Sequence, residues 1–307
     1  MGKRLFMKQP NMRKVIYSLL PILVFSVGNF GLRVLFVVAL SVSFAFIIEY
    51  LFEVRRDKPV SEAVLVTGLL FGLILPPAVP IWIVVVGIVF AIVFGKMAFG
   101  GFGRNIFNPA MVGRAFVYIS FPVALTVQWT QATRFWGEGF TSWLVFPQPV
   151  SGATPIEMIR YGEAVSRTDM FFGTIAGSAG ETAKWLIIAC AVYLVITKTA
   201  SFKIIASTIS AAFVLSSLLY LFRLSAIDPF VTLTGGSLLF GAVFMATDPV
   251  SAPRRERAKV YYGILIGSLT VIIGTFSLFG AGLMFAVLIA NTFAPLIDHL
   301  DKWKVKK

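Results

Sequence analysis

The sequence has one cysteine, Cys190, and one histidine, His299. A disulfide needs two thiols, and iron–sulfur clusters or structural zinc sites need several Cys or His ligands, so this chain alone builds none of them. Cys190 lies inside an apolar run and reads as a small buried hydrophobe. Charge is also scarce. Only 13% of the 307 residues are charged, while 58% are hydrophobic, and a soluble domain carries about twice that charged fraction. A soluble globular fold is therefore excluded. If the chain moves electrons, the carrier must be organic.

What charge there is has one dominant sign, with 27 Lys and Arg against 14 Asp and Glu. A nucleic-acid surface would show a continuous basic stripe with interleaved stacking aromatics. Here the cations sit in short clusters between apolar runs, as in the cytoplasmic loops of membrane proteins. The surrounding partner is membrane lipid, not nucleic acid.

Apolar runs long enough for about 30 Å of hydrocarbon recur along the chain. The first 14 residues carry five cations and no anion, ahead of Val15–Val27. Ser26 and Gly28 there also fit a signal peptide, but Pro21 in the run and a second run directly after it favour a first span. Residues 63–95 hold no charge and are interrupted by Pro76, Pro77 and Pro80, so they read as two short spans. The count is then ten spans, at about 15–27, 34–52, 62–76, 80–95, 105–125, 184–197, 204–222, 232–248, 260–279 and 281–299. With both termini cytoplasmic, 21 of the 27 cations then lie inside, and merging 63–95 into one span would move 13 of them outside. The segment 126–182, with Trp129, Trp136 and Trp143, falls outside. Those tryptophans read as an interfacial belt or as flavin-stacking groups.

Leu69-Leu70-Phe71-Gly72 recurs as Leu238-Leu239-Phe240-Gly241, each followed by proline within about eight residues. The ten-span topology runs these two spans in opposite directions. The expected fold is an all-α integral membrane protein of about ten transmembrane helices. Two inverted five-helix repeats with broken helices, 15–125 and 184–299, would form a single membrane domain.

Three constellations carry polar chemistry. Ser151-Gly152-Ala153-Thr154-Pro155 leaves the Thr154 hydroxyl sterically open and extends the backbone before proline; the same residues also suit an ordinary loop. Gly100–Ala110 brings Asn105 and Asn108 to the start of a span, either as helix caps or as contacts to a bound ring or ion. It is no Walker loop and follows no strand. Phe244–Pro249 ends a span on Asp248. Glu62, Asp248 and Asp298 all stand near cytoplasmic span ends, as ion-path candidates or as solvated interfacial acids.

Together these motifs, with Gly173–Glu181, resemble one membrane family over nearly the whole chain. It comprises RnfD of the Rnf electron transport complex and NqrB of the sodium-translocating NADH:quinone reductase (Nqr). The resemblance implies flavin mononucleotide (FMN) joined through its phosphate to Thr154, within the motif Ser151, Gly152, Ala153, Thr154, by a dedicated flavin transferase. It also implies a second, non-covalent flavin, riboflavin, which Asn105 and Asn108 would contact. Thr154 would face a covalent-FMN partner subunit on the extracytoplasmic side, and Arg160 and Arg167 are near enough in sequence to favour the phosphate. The short N-terminal arm points to the Rnf branch, a ferredoxin:NAD complex coupled to Na+ or H+ translocation, while Gly103-Arg104-Asn105 leans toward Nqr. The expected role is one component of a multi-subunit oxidoreductase in a bacterial or archaeal cytoplasmic membrane, inactive alone. A non-redox channel or solute carrier and a purely structural scaffold are the contrasting readings.

Overall fold

The chain was analysed as a computed structural model that describes residues 5–126, 129–133, 136–145, 155–160, 164–277, 280 and 282–305. It divides into two compact units, one of residues 1–152 with 176–180, the other of residues 153–175 with 181–307.

The first unit holds helices α1 (Pro10–Phe30), α2 (Leu32–Val54), α3 (Ala63–Leu73), α4 (Ile81–Gly95), α5 (Pro109–Ser120) and α6 (Pro122–Thr126). Its only sheet among the described residues is a parallel pair, β1 (Phe6–Met7) with β2 (Val60–Ser61). Contacts at the helix ends fix the direction of each pass. Near the start of α1, Gln9 and Arg13 bond Glu62 at the start of α3. Glu49, late in α2, meets Lys96 just after α4, and Gly95 at the end of α4 abuts Pro109 at the start of α5. At the other end Arg33 of α2 donates to the carbonyls of Pro77 and Val79 after α3. Trp82 of α4 packs edge-on against Phe121 after α5, 4.8 Å between ring centroids. The helices α1 to α5 thus run as five alternating passes.

A single residue, Gly31, turns α1 into α2. Its φ of 112° is a left-handed conformation open to glycine, and a Cβ there would lie 2.6 Å from the Trp143 carbonyl oxygen. The first amides of α2, which have no partner within the helix, donate instead to the carbonyls of Ser142 and Trp143. Trp129 is buried, whereas Trp136 and Trp143 are exposed and lie on Phe25 and Phe36, a placement that fits an interfacial belt.

The second unit holds α7 (Pro155–Arg160), α8 (Arg167–Phe172), α9 (Lys184–Ile196), α10 (Phe202–Leu221), α11 (Pro229–Thr234), α12 (Leu238–Phe244), α13 (Glu256–Phe276) and α14 (Gly282–Val305). Lys184 at the start of α9 reaches Gly236 ahead of α12. Lys203 at the start of α10 pairs with Glu256 at the start of α13, 3.0 Å away. Asp298, late in α14, accepts from the amides of Arg254 and Arg255. Here too the chain alternates, through α9, α10, α11 with α12, α13 and α14. The run 232–248, read from sequence as one span, is broken at Gly235-Gly236-Ser237. The run 105–125 becomes helical only at Pro109 and breaks at Phe121.

Six described helices are long and apolar enough to cross a membrane, and Ala63–Leu73 and Lys184–Ile196 are shorter apolar helices. Large apolar side chains point outward, Leu221 at 74% exposure and Ile119 at 63% among them. The chain is an all-α, multi-pass membrane protein. In lipid the helices gain little from apolar burial, so close backbone approach at small residues holds them together. Gly68 and Gly72 of α3 leave only 2.6 and 2.8 Å between a would-be Cβ and the Cα atoms of Val42 and Val38 on α2. On α13, Gly263 and Gly267 do the same against Ser207 and Thr208 of α10. Each Leu-Leu-Phe-Gly copy sits in its own unit's core, with Phe71 and Phe240 fully buried.

Candidate functional site

Ser151, Gly152, Ala153 and Thr154 lie outside the described residues; the chain resumes at Pro155. The helix that begins there is anchored within the second unit. Ile156 and Ile159 of α7 pack on a buried cluster of Met170 from α8 with Ile227 and Val231, and Val165, Ile175 and Phe230 surround it. Burying one such side chain contributes about 1.5–3 kcal/mol. Beneath the cluster Lys184 is 1% exposed. Its Nζ donates to the Glu181 carbonyl and, at 2.6 Å, to that of Gly236. A Cβ on Gly235 or Gly236 would stand 3.1 Å from Ile156. The buried ammonium thereby fixes the loop on which the helix after Thr154 rests. Arg167 is committed to Asp228 at 2.9 Å and lies over the Phe230 ring.

The glycine loop of the first unit uses Gly100, Gly101 and Gly103 at φ of 105°, 95° and 82°. It leads the chain from the end of α4 to α5. Asn108 is the N-cap of α5, its Oδ1 accepting from the amides of Ala110 at 3.0 Å and Met111 at 3.3 Å. Asn105 donates from Nδ2 to the Phe107 carbonyl. Both amides are buried and both help turn the chain into the helix.

The three acids read from sequence occupy separate helix ends. Glu62 is buried and accepts from the Gln9 amide at 2.7 Å and from the Arg13 guanidinium. The Arg13 hydrogen bond holds its carboxyl below the usual carboxylate range. Asp248 folds the turn after α12, accepting from the Val250 amide and the Ser251 hydroxyl. Asp298 accepts the amides that lead into α13, where a negative charge is favoured by the helix dipole. Asp248 and Asp298 thus grip opposite ends of the segment 248–255.

A constellation that local sequence reading missed lies in the first unit. Glu49 and Lys96 are each 1% exposed and pair at 2.5 Å. The Ser61 hydroxyl donates to Glu49 at 2.6 Å and accepts from Lys96 at 2.7 Å. Glu53, one turn beyond Glu49, is buried against the glycine loop. Two acids four apart near the end of an apolar run were the available signal.

A model of the NQR2, RnfD, RnfE family matches residues 7–307. The chain belongs to that family. The match to the NQR2, RnfD, RnfE family takes in both units, the glycine loop and the Ser-Gly-Ala-Thr segment. Among its relatives, the NqrB component of the Na(+)-translocating NADH-quinone reductase of Chromohalobacter salexigens is 39% identical over 260 residues, 82% of this chain and 61% of the relative. The protein of the same name from Ectopseudomonas mendocina is 40% identical over 82% of this chain and 62% of its own length. That of Azotobacter vinelandii is 39% identical over the same shares. The chain therefore spans about three-fifths of the length of these relatives.

Proposed function

We propose that the chain is the flavin-carrying membrane subunit of an Rnf-type ion-translocating oxidoreductase, with FMN joined to Thr154 through a phosphoester. The observation that carries this reading is the Ser151-Gly152-Ala153-Thr154 motif standing in a chain of the NQR2, RnfD, RnfE family. FMN supplies a carrier that takes one or two electrons; the protein supplies position and electrostatics. Thr154 would provide the attachment oxygen, while α7, seated on the Met170 cluster and backed by Lys184, would restrict where the tethered ring can go. Asn105 and Asn108 would contact riboflavin from the end of the glycine loop, and Glu62, Asp248 and Asp298 would pass cations at the helix ends. The membrane would be a bacterial or archaeal cytoplasmic one, with both termini inside. Partners would be the other subunits of the complex, a covalent-FMN subunit outside among them, and a flavin transferase during maturation.

Relatives named as NqrB components of the Na(+)-translocating NADH-quinone reductase, at 39–40% identity, favour a second reading, the Nqr branch. Donor preference separates the two, because the Rnf reading requires reduced ferredoxin to reduce the flavins and the Nqr reading requires NADH.

The deciding experiment is the mass of the peptide spanning Thr154, from protein co-expressed with an active flavin transferase, beside a Thr154→Ala control. A flavin-sized addition in the first and none in the second is the expected result. An unmodified peptide from the unsubstituted chain would remove the flavin reading and leave a solute carrier or scaffold.

A further inference from the structure

We propose that the second unit binds the headgroup of an anionic phospholipid in a cavity of about 690 Å³ where α9, α10, α12 and α13 meet. Four cations line it, Lys198, Lys203, Arg254 and Lys259, against one acid, Glu256. Lys203 and Lys259 share that acid at 3.0 and 2.6 Å. Lys198 and Arg254 form no ion pair among the described residues, so the cavity keeps a surplus of positive charge. Its other acidic neighbour, Asp298, spends both carboxylate oxygens on backbone amides. The space is far larger than a chloride or a bare cation needs.

The backbone adds an independent mark. Lys198 sits just past the end of α9 with φ of 54°, and its neighbours close the helix through the amides of Lys198 and Thr199. Glycine is the residue that usually occupies this left-handed position, because a side chain there is strained. A lysine stands here instead, directing a cation to the cavity wall at a conformational cost.

Apolar surroundings favour a lipid over free phosphate. Ile196 and Phe202, which flank the cluster in sequence, are 73% and 65% exposed, and Tyr261 on α13 also points outward. A phosphodiester in the cavity would let its acyl chains continue along these side chains. An inorganic anion would use only the charged part of the site. Polybasic clusters gain about 1 kcal/mol per cation near an anionic membrane surface, which is about fivefold per lysine or arginine.

The test uses the full chain in phosphatidylcholine vesicles doped with phosphatidylglycerol, reading the protein-bound fraction of spin-labelled phosphatidylglycerol against spin-labelled phosphatidylcholine. Lys198→Gln/Arg254→Gln should lower that selectivity about 30-fold, while Arg55→Gln/Lys58→Gln, with the same change of net charge, should keep it. Lys198→Gly removes one cation and relieves the backbone, so it should melt no lower than the parent yet lose about fivefold in selectivity. Equal losses in the two double variants would mean diffuse surface charge and overturn the site. Unchanged selectivity in Lys198→Gly, or displacement of the labelled lipid by inorganic phosphate as effective as that by unlabelled phosphatidylglycerol, would overturn the lipid assignment. None of these outcomes depends on Thr154 or its flavin.

Discussion

Lys96 and Glu49 show how much one buried charge depends on its partner. With both side chains 1% exposed, the pair and the Ser61 hydroxyl satisfy one another inside the helix packing. Removing one partner strands the other charge. Lys96→Met should therefore destabilise the protein by about 3–5 kcal/mol, while Glu49→Leu/Lys96→Met should recover most of that loss. Thermal or denaturant unfolding in detergent measures both, and a double variant less stable than either single one would sink the argument. Local reading of the sequence could not find this pair. Glu49 stands in an otherwise apolar run, and its partner is 47 residues away. The capping alternative at Asn108 was legible, because an Asn directly before a Pro-led helix is a local signal.

At the scale of elements, proline punctuation was readable and glycine punctuation less so. Pro76, Pro77 and Pro80 divide α3 from α4 as expected. The Gly235-Gly236-Ser237 break between α11 and α12 was hidden by apolar residues on both sides, since hydropathy averages across a three-residue turn. Which glycines lie at helix crossings needs the partner helix and is not local at all. Gly72→Leu should force α3 off Val38 and cost about 1–3 kcal/mol, with Gly267→Leu acting likewise between α13 and α10. Gly274, on the same helix as Gly267 but with open space at its Cβ, serves as the comparison. Gly274→Ala should be neutral or stabilising by up to about 1 kcal/mol. Comparable losses at Gly274 and Gly267 in reversible unfolding would show that helix propensity, not close approach, sets the effect.

For the whole molecule the question is which passes cross the membrane. If only the six longest helices did, the chain from 96 to 201 would lie on one side and that from 222 to 255 on the other. Lys203 and Glu256 would then begin α10 and α13 on opposite faces, yet they pair at 3.0 Å. Glu49 and Lys96 would be parted in the same way, yet they pair at 2.5 Å. Short, broken passes must return the chain in each unit, as α3 does in the first and α11 with α12 in the second. A broken pass is tolerable in lipid where its freed backbone groups face protein or a wet cavity. The ten-pass topology that places 21 of the 27 cations inside makes a sharp forecast from this. In a Cys190→Ala background, a membrane-impermeant maleimide should label Arg223→Cys and Glu138→Cys in intact cells. Lys198→Cys should react only after permeabilisation, because α10 separates it from Arg223 and the cation rule puts it inside. Lys198 and Arg223 are already non-glycine residues at left-handed φ, so these two substitutions add no new backbone strain. Labelling of Lys198→Cys in intact cells, with Arg223→Cys protected, would invert the second unit and bring its acids to the outer face. Labelling of both from the same side would mean that α10 does not cross, and would undo the alternating arrangement on which the repeat reading stands.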